Sequence, residues 1–150
     1  MIINETEIRV IFGDTDAMGI VYHANYIRWF EAGRTEFLRS LGYPYSRMAQ
    51  EGLWLPVAAV ECEYKKPARY DDVLVIRSWV EKLKAATIIM GYEIINKETG
   101  ETCVKGTSKH AITTPKLVPV SLKKHNPELY ALILAAMEKP RTRVTAPAEN

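Results

Sequence analysis

The sequence predicts one α+β domain: an antiparallel sheet of about five strands wrapped around a long central helix, with a second helix near the C-terminus. Three observations predict it. Residues 24–41 place Tyr26, Ile27, Phe30, Gly33, Phe37, Leu38 and Leu41 within about 140° of one another on a helical wheel, an apolar face too wide for a helix lying on a flat surface. Four long strand-like segments follow with short links, which predicts a meander. The chain has 150 residues, 47% hydrophobic and 25% charged, which suits one globular domain that buries about 70% of its unfolded surface.

The elements follow in order. A short opening strand is expected at residues 7–12, before the tight polar segment 13–19. The long helix stops at Gly42, with Pro44 beyond it. Strands are expected at about 54–65, 70–82, 87–96 and 101–113. Lys66-Pro67-Ala68-Arg69 reads as a turn, residues 84–86 as a short link, and residues 96–100 as a hairpin loop ending in Gly100. Gly91, in mid-strand, predicts a bulge or sharp bend. Asn126-Pro127-Glu128 has the capping residue, first-turn Pro and early acid of a helix start. Residues 1–140 are expected to form the domain and 141–150 a disordered tail.

Composition narrows the function classes. A net charge of +2 is too small to argue for nucleic acid, and no nucleic-acid partner is expected. The charge is unevenly spread: residues 1–60 hold 5 basic and 7 acidic side chains, while 102–127 hold no acid but carry Lys105, Lys109, Lys116, Lys123 and Lys124. Cys62 and Cys103 are far apart and suggest neither a disulfide framework nor a metal site. The N-terminus lacks a signal-peptide pattern, and the longest uncharged apolar run, 129–137, is far below the roughly 20 residues that cross a bilayer. A cytoplasmic protein without membrane insertion is expected.

The informative stretch runs from Arg9 to Gly42. Arg9-Val10, then Thr15-Asp16-Ala17-Met18-Gly19-Ile20-Val21-Tyr22-His23-Ala24-Asn25-Tyr26, then Phe30-Glu31 and Arg34 resemble the hotdog-fold thioesterases of the 4-hydroxybenzoyl-CoA thioesterase family. The likeness is nearest to the bacterial acyl-CoA thioesterases named after the Tol-Pal operon. A weaker resemblance covers residues 5–125, including Pro67-Ala68-Arg69-Tyr70-Asp71-Asp72. It implies a hotdog fold, hydrolysis of acyl-CoA to free acid and CoA, and a homodimer or tetramer with sites at subunit interfaces. It also implies Asp16 and His23 as catalytic residues. Phe12 departs from relatives that have a Tyr there in a Tyr-Asp-His arrangement.

The residues support the same chemistry from below. Thioester hydrolysis needs a nucleophile or base near the carbonyl carbon and donors where charge grows on its oxygen. Asp16 supplies the first, as nucleophile or as general base. Unpaired N–H groups at the start of the long helix supply the second. Gly19 lets substrate approach the backbone, and Ile20, Val21, Tyr22, Ala24, Asn25 and Tyr26 are candidate substrate-binding residues. Asp14 reads as a loop residue, and His110 and His125 as structural. Arg34 lies on the apolar helix face and needs a partner, for which Glu31 is nearest.

Coenzyme A, itself part of the substrate, is the reason no separate cofactor is expected. Its phosphates call for cations, and Lys105, Lys109 and Lys116 in the acid-free stretch are the candidates. An acyl-carrier-protein thioesterase and a non-catalytic acyl-thioester-binding protein are the alternative functions.

Overall fold

Six strands and one long helix carry the fold of the computed structural model, which describes residues 1–145. The helix, α1 (Asn25–Ser40), buries Tyr26, Trp29, Phe30, Gly33, Phe37 and Leu38, the three- and four-residue spacing of a single apolar face. At Gly33 it touches strand β3 (Val73–Leu83): a Cβ there would lie 2.7 Å from Ile76 Cγ2. Ser78 Oγ donates to the Gly33 carbonyl at 2.9 Å, so glycine sets how near the helix comes to the sheet. One turn earlier Phe30 stacks on Tyr92 of β4 (Thr87–Asn96) at 4.3 Å. A Cβ at Gly106 of β5 (Thr102–Ala111) would lie 2.6 Å from that phenyl ring.

Strand β1 (Ile2–Arg9) is longer than the sequence predicts and lies beside β3, while β2 (Val57–Tyr64) forms one edge of the sheet. The order is β2-β5-β4-β3-β1-β6, antiparallel except where β6 (Thr142–Val144) runs parallel to β1. Two expectations are corrected. The meander holds for β3, β4 and β5, but β2 pairs with β5 and not with β3. Residues 65–72 are therefore a crossover. The buried Ala68 anchors it, its carbonyl accepting the Val21 N–H at 2.8 Å. Part of the expected tail is instead strand β6, and residues 146–150 lie outside the described residues. At Gly91 the register shift lies one residue away, between Val80 and Lys82 of β3, and the indole of its partner Trp79 covers it, 2.5 Å from where a Cβ would stand.

The two sheet faces differ in chemistry, as the two-residue alternation requires. Outward, Glu63, Lys105, Glu93, Arg77 and Glu5 lie opposite one another across five strands, with Arg143 of β6 joining Glu5. Arg77 bridges Glu5 at 3.2 Å and Glu93 at 3.1 Å. Inward, a hydrogen-bonded chain runs from Arg34 to Tyr92 Oη (3.3 Å), Ser108 Oγ (2.7 Å) and His110 Nε2 (2.7 Å), while His110 Nδ1 faces the Leu55 carbonyl at 3.0 Å. Arg34 thus finds a tyrosine hydroxyl rather than Glu31 as its hydrogen-bond partner. Burial, and next the nearby Arg34 charge, push the His110 pKa down to about 4. A neutral His110 donates from Nδ1 and accepts at Nε2, which satisfies the chain.

Three short helices complete the domain: α2 (Tyr45–Gln50), α3 (Leu122–His125) and α4 (Pro127–Glu138).

Candidate active site

A turn closed by its own backbone presents Asp16. Its N–H donates to the Ile20 carbonyl and its carbonyl accepts the Gly19 N–H, both at 2.9 Å, while the Met18 N–H donates to Asp16 Oδ1 at 2.8 Å. Gly19 has φ +75°, which favours glycine, and open space surrounds it. The turn is tied to α1 through one carbonyl: Asp14 O accepts both the Tyr22 N–H and Asn25 Nδ2, each at 2.8 Å. The Asp14 carboxylate accepts the Ile11 N–H, in agreement with its reading as a loop residue.

The start of α1 is open. Ala24, which precedes it, has helical φ and ψ of −70° and −21°, and no side chain caps the turn. Among the described residues the N–H groups of His23 and Ala24 donate to no protein acceptor. They lie just before the first residue of a 16-residue helix, at its positive end. Beside them lies a cleft of about 350 Å³ lined by Asp16, Met18, Ile20, Val21, His23, Tyr26, Tyr64, Lys65, Lys66 and Pro67. Tyr64, the last residue of β2, donates its hydroxyl to the His23 carbonyl at 2.9 Å and sets its ring edge-on to those of His23 and Tyr26. Burial is the main cause that pushes Tyr26 and Tyr64 each up to about 12, so both stay protonated donors near neutrality. The Lys65 ammonium is held by Glu63 at 2.8 Å.

Of the residues expected at the site, Asp16, Ile20, Val21, His23 and Tyr26 line this cleft. Gly19, Tyr22, Ala24 and Asn25 do not: Gly19 makes the turn, the exposed Tyr22 sets its ring at a tilt to that of His23, and Asn25 is buried with its amide on Asp14. Phe12 points outward, 72% exposed and stacked on Tyr70 at 3.8 Å. The cationic candidates are not brought to the cleft. Gly106 faces Phe30, so the strand alternation sends Lys105 and Lys109 to the outer face, where Lys105 lies 3.8 Å from Glu93; Lys116 sits in an exposed loop. Lys65 and Lys66 were missed, and Tyr64 was expected in the core, with an interface or the pocket as the other places for it. Their signal was a strand ending in Tyr-Lys-Lys-Pro, which reads locally as a turn.

Residues 10–128 match the thioesterase-like superfamily. The Bacillus subtilis relative YneP is 38% identical over 129 residues, covering 85% of this chain and 93% of its own length. The acyl-CoA thioesterase YbgC of Haemophilus influenzae is 34% identical over 119 residues, covering 78% and 86%. A solved structure of DHNA-CoA thioesterase from Staphylococcus aureus is similar with a TM-score of 0.87 at 29% identity, over 97% of this chain and 100% of that one.

Proposed function

The chain belongs to the thioesterase-like superfamily, has the hotdog fold and is an acyl-CoA thioesterase; from that premise we propose that Asp16 and the open start of α1 together carry the hydrolysis. The observation behind this reading is that Asp16 lines one cleft with His23, whose N–H has no acceptor among the described residues and which precedes the uncapped start of α1. The acyl carbonyl lies with its oxygen toward the His23 N–H, where the helix dipole and fixed donors stabilise the charge that grows on it. Asp16 either attacks the carbonyl carbon, giving an acyl-Asp16 anhydride that water then opens, or takes a proton from the attacking water. By both routes the C–S bond breaks, water supplies the hydroxyl of the free acid, and the proton goes to the CoA thiolate. His23 acts through its backbone, with its ring beside the cleft.

Steady-state thiol release tests this reading. Asp16→Asn, which keeps the turn's shape, is expected to lower kcat about 10³-fold with the fold intact. His23→Ala keeps the backbone N–H and is expected to retain measurable turnover. Wild-type rates in Asp16→Asn overturn the mechanism.

Coenzyme A enters as substrate, and no further cofactor is proposed. Its phosphates need cations near the cleft, which favours Lys66 and Lys65 over the outer-face Lys105 and Lys109. A second copy of the chain is the proposed neighbour of β2, an edge strand paired on one side only, with Val57 54% exposed. Light scattering of the purified protein, expected at twice the chain mass or four times it, checks the assembly. Among the described residues no helix is long and apolar enough to cross a membrane; a cytoplasmic location remains the proposal.

A further inference from the structure

The His23 N–H lies in a turn that the Asn25 N–H closes on the Tyr22 carbonyl at 2.9 Å, while no side chain caps α1. Two further anchors tie that turn to its surroundings. On one side the Tyr22 N–H donates to the Asp14 carbonyl at 2.8 Å; on the other the His23 carbonyl accepts the Tyr64 hydroxyl at 2.9 Å. Peptide planes are rigid, so fixing the carbonyl of residue 23 also fixes the direction of the Ala24 N–H in the same plane. The first anchor comes from the catalytic loop itself. The second comes from the end of an edge strand, 41 residues away in sequence.

Resting on the reading of the α1 start as the carbonyl site, we propose that Tyr64 is a positioning residue: its hydroxyl holds the backbone at His23 so that the open N–H groups face the substrate carbonyl. The ring and the hydroxyl of Tyr64 do separable work. The ring packs edge-on against His23 and Tyr26, which a phenylalanine does equally well. The hydroxyl alone reaches the carbonyl. Without it the His23 carbonyl turns toward water, and the donors lose the aim on which their advantage over solvent depends. Tyr64 stays protonated through the working pH range, so its part is to hold and not to transfer a proton.

Tyr64→Phe in the full chain tests this with the acyl-CoA that the wild type turns over fastest in a panel of short, long and aromatic thioesters. Expected is a kcat about tenfold lower, KM within about twofold, an unchanged shape of the kcat–pH profile and an unchanged thermal midpoint. A wild-type kcat overturns the inference, as does a rise in KM alone or a displaced alkaline limb. A second readout is independent of turnover. With Asp16→Asn holding substrate unreacted, the infrared stretch of a ¹³C-labelled acyl carbonyl is expected to move back toward its solution frequency when Tyr64→Phe is added. An unmoved band overturns the inference. If Asp16→Asn is inactive while Tyr64→Phe behaves as wild type, only the role of Tyr64 fails. If Asp16→Asn remains active, the reading of the whole site falls and the role of Tyr64 with it.

Discussion

Helices α1 and α4 begin in opposite ways. At α4, Asn126 has φ −143° and its side chain accepts the Leu129 N–H at 3.0 Å, Pro127 brings no N–H of its own, and Glu128 supplies an acid in the first turn. The same Asn126 amide donates to Tyr43 Oη at 2.6 Å and to Glu51 Oε2 at 2.9 Å. The chain answers its own polar groups there. At α1 it does not: Ala24 cannot cap, the N–H groups of His23 and Ala24 meet no acceptor among the described residues, and His23 lines a cleft with the Asp16 carboxylate. An uncapped start forgoes about 1 kcal/mol. On the proposed reading, one helix start serves stability and the other serves a ligand.

Four measurements break or sharpen that contrast. The largest effect is expected from acid, and in the core beneath α1 rather than at either start. His110 titrates near 6.5 when unfolded and at about 4 when folded, chiefly because it is buried. Above pH 6.5 both states are neutral and stability is unaffected. Between 6.5 and 4 the unfolded chain binds a proton that the folded chain refuses, so stability falls with pH, by about 3 kcal/mol from this group. Urea unfolding at pH 7 and pH 4 reads the slope, and His110→Gln is expected to flatten it. Next, Asn126→Ala removes the α4 cap and leaves the buried Tyr43 hydroxyl without that donor. About 2 kcal/mol of stability should go, with kcat/KM unchanged; a fall in turnover would blur the division between the two starts.

Third, Ala24→Asp puts a negative charge at the open start. Stability should rise by about 0.5 kcal/mol while kcat falls about tenfold, because the new charge opposes the one that grows on the carbonyl oxygen. Parallel gains in both would mean that the open start has no catalytic use. The smallest effect belongs to Lys105→Gln. An exposed ion pair on the outer face is worth less than about 0.5 kcal/mol, and KM for acyl-CoA should stay within about twofold, whereas Lys66→Gln should raise KM several-fold.

Local pattern carried much of the fold. The apolar spacing of α1, its stop at Gly42 and the Asn-Pro-Glu start of α4 each act within a few residues, and they are where the sequence puts them. Strand positions were legible for the same reason, but not the neighbour of β2. A Lys-Pro-Ala-Arg segment looks the same whether the next strand lies alongside or three strands away, and what diverts this one is the distant Val21 N–H on Ala68. Strand β6 was hidden because its partner is at the other end of the chain. Within the cleft, Asp16 and His23 stood out through a tight motif, whereas Tyr64 and Lys66 reach the same place only after the crossover. Arg34 shows the limit in miniature. Its position on the apolar face demanded a partner, but that partner is Tyr92, 58 residues on, rather than the neighbour on its own helix.

The crossover also orders events in time. Strands β3, β4 and β5 close through short local loops, but β2 must wait for β5, since Val57 lies opposite His110. Loop-closure entropy places such a distant pairing after the nearby ones. Tyr64 travels on β2, so a newly made chain acquires its core before its cleft, and the lock on His23 is among the last contacts to form. A chain still short of β5 has Asp16 and the start of α1 already tied together through the Asp14 carbonyl, but it lacks the Tyr64 contact on His23.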